Sequence, residues 1–198
     1  MLPLAGWMVG GCLTAVGMMA YLPGGVVVGA LVGALGWVVA GLSWSWALSE
    51  GHTQWRVRRV LKISASWVVA YLVAACVVWW LSVTEVIFVP LGWFLGFTLG
   101  GAIAGFLTGL ALKMRPPRAC ALAMVSAAAL GTAAYPGVLA GYFIMPFSKI
   151  FMGSVLGVGF AVTLGWAAGG AVAGAIAGLI VALPFTLTRV RESFLQDG

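Results

Sequence analysis

Residues 95–110 read LGFTLGGAIAGFLTGL, and residues 164–179 read LGWAAGGAVAGAIAGL. The two stretches align without a gap, and five glycines recur at the same places: Gly96/Gly165, Gly100/Gly169, Gly101/Gly170, Gly105/Gly174 and Gly109/Gly178. A weaker third copy occurs earlier, because residues 33–35 and 41–42 match residues 101–103 and 109–110. Self-similarity at a fixed spacing indicates a repeated structural unit. We therefore expect three copies of a two-helix hairpin.

The composition places these repeats in a membrane. Of the 198 residues, 63% are hydrophobic and 7% are charged, whereas a soluble domain carries about 25% charged residues. A membrane-spanning helix needs roughly 20 apolar residues. Six stretches satisfy this length: 4–22, 25–48, 63–83, 88–112, 119–143 and 159–187. The chain is thus expected to be a single all-α transmembrane domain, with residues 144–158 forming an interfacial or re-entrant segment on the non-cytoplasmic side.

The basic residues indicate an orientation. Nine of the ten lysines and arginines lie in residues 49–62, in residues 113–118 or after residue 187, and Lys149 is the tenth. With six crossings these three basic regions share one side, and cytoplasmic loops collect Lys and Arg. We expect three parallel hairpins with both termini in the cytoplasm, in a bacterial inner membrane.

The glycines predict close helix contacts. They stand four residues apart and so share a helix face, and small residues let membrane helices approach closely. Helices 4 and 6 each carry two such stripes, which suggests contacts with more than one neighbour. We expect helices 2, 4 and 6 to form the core, with the odd helices outside; alternatively, one stripe docks a partner or another copy. The helix-packing or docking residues are Gly29, Gly33, Gly96, Gly100, Gly101, Gly105, Gly109, Gly165, Gly169, Gly170, Gly174 and Gly178.

Aromatic and polar residues suggest further sites. Most tryptophans are expected in interfacial belts, with Trp44, Trp46 and Trp55 at one interface and Trp79, Trp80 and Trp93 at the other. The possible cavity-lining residues are Trp37, Trp166, Thr98, Thr108 and Thr163, although the tryptophans can instead pack on glycine faces and the threonines can bond their own helix carbonyls. Residues with a role in orientation or in lipid head-group binding are Arg56, Arg58, Arg59 and Lys62.

Catalytic and metal-binding patterns are missing from the sequence. His52 is the single histidine, and Cys12, Cys76 and Cys120 are isolated within apolar stretches, so we expect buried free thiols and no zinc site. The predicted spans contain no ionisable side chain, which argues against proton-coupled transport and voltage sensing. We therefore expect no enzyme, no cofactor and no nucleic-acid partner.

In size and composition the chain is similar to the substrate-binding subunits of energy-coupling-factor vitamin transporters, although no motif is shared. The resemblance implies a ligand-binding or accessory subunit of a membrane transport complex. The alternative is a homo-oligomeric channel, pore or membrane scaffold. The expected partners are membrane lipid and either another membrane subunit or further copies of the chain.

Overall fold

A computed structural model of the chain describes residues 2–20, 25–48, 57–83, 89–156, 163–165 and 167–181, and these residues contain helices but no strand. The six helices are α1 (Leu2–Ala20), α2 (Gly25–Leu48), α3 (Val57–Val83), α4 (Val89–Ala111), α5 (Pro116–Leu156) and α6 (Thr163–Val181, without residue 166). Each of α2 to α6 contains a stretch long and apolar enough to cross a membrane. The chain is therefore an all-helical integral membrane protein.

The helices form a ring in chain order. From α1 to α5, each helix packs against the next one in sequence, and α2 meets α4 only marginally. Helix α6 completes the ring, because Gly169 lies beside Gly137 and Gly141 of α5 while Gly170 lies beside Gly11 of α1. The expected central core of helices 2, 4 and 6 is therefore not what the described residues form. The sequence pattern showed how many neighbours a helix has but not where those neighbours lie.

The two glycine stripes of α4 lie against two different helices. A Cβ atom built on Gly96 would lie 2.9 Å from the Ala74 carbonyl oxygen in α3. A Cβ atom built on Gly101 would lie 2.5 Å from the Ser126 carbonyl oxygen in α5. Both glycines thus allow backbone-to-backbone approach. Adjacent stripes point to opposite neighbours because successive helix positions differ by about 100° around the axis.

The other predicted packing glycines are also buried or in contact with a neighbouring helix. Gly174 lies against Trp7 of α1, and Gly165 lies against Met145 of α5. The remaining glycines of this set that contact a neighbouring helix are Gly33, Gly100, Gly105, Gly109 and Gly178; Gly29 is buried. Contacts within the chain therefore occupy the two glycine stripes of α4 and of α6.

Two helices are longer than expected. Helix α3 begins at Val57 rather than at residue 63, so Arg58, Arg59 and Lys62 belong to its first turns. Lys and Arg are good helix formers, which explains the extension beyond the apolar stretch. Helix α5 continues through the expected end at residue 143 to Leu156, with Pro136 and Pro146 inside it. Its 41 residues span about 60 Å, twice a hydrocarbon core of about 30 Å. Where residues 144–156 lie relative to the membrane stays a prediction.

Candidate functional site

The helix ring surrounds a partly open cavity, and residues of all six helices contribute to its wall. Its volume is about 70 Å³. One wall residue from each helix, in chain order, is Gly10, Trp37, Trp67, Phe97, Ala133 and Ala173. The small wall residues come mainly from α1, α5 and α6, and the aromatic wall residues are Trp7, Trp37, Trp67, Trp93 and Phe97 of α1 to α4. This cavity is the candidate site because side chains or backbone of all six helices meet there.

Three tryptophans from three helices pack together at the cavity, and two of them, Trp7 and Trp67, line it. Trp7 of α1, Trp44 of α2 and Trp67 of α3 form the tryptophan triangle, in which every pair of rings is in contact. The ring centroids of Trp7 and Trp67 are 5.7 Å apart, and Trp44 lies 6.1 Å from each of the other two. The three side chains are at most 2% exposed. Edge-to-face pairs of this kind contribute about 0.5–1.5 kcal/mol each beyond burial, so the triangle stabilises the packing of α1, α2 and α3.

A second group of aromatic rings continues this wall along the ring interior. Trp37 contacts Trp67 at a centroid distance of 6.0 Å, Tyr71 at 5.8 Å and Phe97 at 5.7 Å. Trp93 stacks on Phe97 with an interplanar angle of 9°. These buried aromatic side chains of α1 to α4 therefore form one continuous cluster, and this cluster positions Trp37 against the cavity.

The cavity wall offers few polar groups. The Thr14 hydroxyl donates to the Gly10 carbonyl oxygen at 2.8 Å, and Trp67 Nε1 donates to Thr108 Oγ1 at 3.0 Å. Trp7 Nε1 is buried and has no hydrogen-bond partner among the described residues. The described wall contains no ionisable side chain. Such a site suits an uncharged and largely apolar occupant, since burying an unpaired charge is unfavourable.

Of the predicted cavity residues that the structure describes, one lines the cavity and three do not. Trp37 lines the cavity, whereas Thr98, Thr108 and Thr163 are not among its described wall residues. Thr108 is buried behind the wall as the acceptor of the Trp67 N–H group. The Thr98 hydroxyl is buried without a hydrogen-bond partner among the described residues, and Thr163 is half-buried. Trp166 lies outside the described residues.

Several tryptophans lie elsewhere than expected. Trp79 and Trp80 are 70% and 62% exposed, as belt residues are, and Trp46 is 50% exposed. Trp44, however, is buried in the tryptophan triangle, and Trp93 lines the cavity. The belt assignment is wrong for these two because the depth of a residue along its helix does not give the direction in which its ring points. Trp7 and Trp67 were missed as site residues for the same reason.

Several hydroxyl groups bond carbonyl oxygens of their own helices, although Thr98 does not. Thr132 Oγ1 donates to the Ala128 carbonyl oxygen at 2.6 Å, and Ser126 Oγ lies 2.7 Å from the Leu122 carbonyl oxygen. Ser126 Oγ also lies 2.7 Å from the Gly101 carbonyl oxygen of α4. This second contact joins two helices at a glycine stripe, and no sequence motif marked it.

The remaining predicted residues lie away from the cavity. Cys12 is half-buried, and its thiol donates to the Ala167 carbonyl oxygen at 3.0 Å. Cys76 and Cys120 are exposed, so the expectation of buried thiols is wrong for both. Among the described residues no group of three His, Cys, Asp or Glu side chains could hold a metal. Arg58 and Lys62 are exposed and Arg59 is half-buried, while Arg56 is outside the described residues.

Comparisons with family models, with curated proteins and with solved structures give no match for this chain. The cavity, the helix ring and the charge distribution are therefore the basis for a functional proposal.

Proposed function

We propose that this chain binds a small, uncharged and largely apolar molecule in the cavity of its helix ring, as a ligand-binding or accessory subunit of a membrane transport complex. The single observation that carries the proposal is the cavity itself, because all six helices contribute to its wall. A cavity between the helices of a bundle is a usual place for a ligand. The sequence offers no catalytic constellation, which favours binding over chemistry.

The dimensions and chemistry of the wall limit the ligand. A dry cavity of about 150 Å³ lined by aliphatic and aromatic side chains binds benzene or xenon. At about 70 Å³ the present cavity suits a smaller group, such as the apolar end of a short molecule. We therefore expect a small apolar ligand.

The proposed topology and membrane of this subunit are supported by the sequence. The matched glycine segments support an origin in three parallel hairpins, and the three basic regions support cytoplasmic termini in a bacterial inner membrane. A glycine zipper for docking has less support, since the chain's own helices occupy the stripes of α4 and α6. A partner subunit would then contact the outer, apolar face of the ring.

Native mass spectrometry from a mild detergent tests the binding function. We expect a single chain that carries a discrete small mass, and this mass identifies the ligand. Ala133 is 2% exposed and lines the cavity, so Ala133→Leu should remove the bound mass by filling the space. The matched control is Ala128→Leu, on the exposed face of the same helix, which should retain it.

The same experiment distinguishes the alternative function. A defined homo-oligomer without a bound mass would contradict the ligand-binding proposal and favour a channel, pore or scaffold. A bound mass that persists in Ala133→Leu would also contradict it, because the ligand would then lie elsewhere on the chain.

A further inference from the structure

A shallow groove, largely open to the outside, lies between α3 and α4. Its volume is about 400 Å³. Five of its wall residues are aliphatic, and two near the start of α3 are polar; the wall comprises Lys62, Ala65, Ser66, Val69, Leu107, Leu110 and Ala111. Ala65, Val69 and Leu110 are exposed, so the described chain leaves the apolar part of the groove uncovered.

One end of the groove is charged, and the rest of its wall is mostly apolar. Lys62 lies at the start of the groove, and Val69 lies seven residues further along α3, which corresponds to about 10 Å. Helix α4 ends beside this charged end, because Ala111 lines the groove and Lys113 follows two residues later. Lys62 at the start of α3 and Lys113 after the end of α4 therefore lie near the same end of an apolar groove.

The cations at this end have few acids to pair with. The chain has ten Lys and Arg residues against four Asp and Glu residues, so at least six cations have no carboxylate partner of their own. Arg59 precedes Lys62 by three residues on the same helix face. Arg59 does not itself line the groove, whereas Lys62 is exposed and lines it. An exposed ammonium group at the end of an apolar groove favours a bound anion, because charge-assisted hydrogen bonds to phosphate are strong.

We propose that an anionic phospholipid occupies this groove, with its phosphate at Lys62 and one acyl chain along Ala65, Val69 and Leu110. An acyl chain fits the aliphatic wall, and the phosphate supplies the negative charge that the chain lacks. A zwitterionic lipid would bring its own cation to the basic end, and an apolar helix of a partner would leave Lys62 unpaired. The site is independent of the central cavity, so either proposal can fail alone.

Lipid titration followed by native mass spectrometry tests the site. The full chain is purified in detergent with added phosphatidylglycerol or phosphatidylcholine. We expect preferential binding of phosphatidylglycerol, and Lys62→Gln should weaken it about fivefold, as expected for one charge at a membrane surface. Lys149→Gln removes one exposed charge far along α5 and should leave binding unchanged. Equal binding of both lipids, or equal effects of the two variants, would overturn the proposal.

The apolar part of the groove has its own matched pair. Ala65→Leu should fill the groove and weaken phosphatidylglycerol binding, while Ala121→Leu changes an exposed alanine of α5 and should not. A photo-crosslinking amino acid at position 69 distinguishes the occupants in the native membrane. A cross-link to phospholipid supports the site, and a cross-link to a protein chain overturns it.

Discussion

Replacing Gly101 with alanine tests the contact that holds α4 against α5. The new Cβ atom would lie 2.5 Å from the Ser126 carbonyl oxygen, 2.9 Å from its carbonyl carbon and 3.0 Å from Ala127 Cα. All three are backbone atoms, so no side chain can rotate away to make room. An ordinary van der Waals contact begins near 3.4 Å, and α5 must therefore move by about 0.9 Å.

The magnitude follows from three contributions. Overpacking of this kind costs about 1–3 kcal/mol. The displacement also weakens the contact between Ser126 Oγ and the Gly101 carbonyl oxygen, now 2.7 Å, and such contacts contribute about 0.6 kcal/mol in a membrane protein. Alanine recovers up to about 1 kcal/mol through its better helix propensity. We predict that Gly101→Ala lowers the free energy of unfolding by about 1–2 kcal/mol.

Gly92 of the same helix provides the matched control. A Cβ atom built there would meet only the Leu81 side chain, at 3.4 Å. Gly92→Ala should therefore be neutral or stabilising by up to about 1 kcal/mol. Equilibrium unfolding in mixed micelles by sodium dodecyl sulfate, followed by far-ultraviolet circular dichroism, compares the two variants. If Gly101→Ala proves as stable as Gly92→Ala, the packing of α4 on α5 described above is wrong.

Three other predictions concern single sites. Lys113 adopts a left-handed conformation with φ 58°, where glycine is the usual helix-ending residue. Lys113→Gly should therefore raise the free energy of unfolding by about 1 kcal/mol. It should also weaken phosphatidylglycerol binding, because it removes a cation. Thr108→Val leaves the Trp67 N–H group, now bonded at 3.0 Å, without an acceptor, and should cost about 1–3 kcal/mol in the same unfolding titration. Xenon should enter the central cavity and give a bound ¹²⁹Xe resonance. Ala133→Leu should abolish this resonance by filling the cavity, and Leu130→Ala should strengthen it by enlarging the cavity. An unchanged resonance in both variants would show that xenon does not bind in this cavity.

The local helices were predictable because they depend on apolar length. The expected bounds of helix 2 agree with α2, and those of helix 4 agree with α4 within one residue at each end. The charged start of α3 and the proline-containing end of α5 were not predictable from apolar length. The first is helical because Arg and Lys favour helix, and the second continues as helix through Pro146.

The candidate site was only partly predictable, because it depends on which way a side chain points around its helix. Trp37 was expected near a cavity and lines it, whereas Trp44 was placed at the membrane interface and is buried against Trp7. Both tryptophans lie on α2 and are seven residues apart, so they share a face of that helix. The seven-residue spacing of these tryptophans therefore groups them on one face, as the four-residue spacing does for the glycines.

The glycine and aromatic residues have complementary roles in making the cavity. Glycines bring helix backbones together between neighbours, as Gly170 does beside Gly11 and Gly169 does beside Gly137. Close contacts of this kind on α1, α5 and α6 place glycines and alanines on much of the cavity wall. The aromatic part of the wall consists of Trp7, Trp37, Trp67, Trp93 and Phe97, whose rings pack against one another. The cavity therefore lies between small residues and packed aromatic rings, and it follows from helix packing rather than from any polar or charged motif.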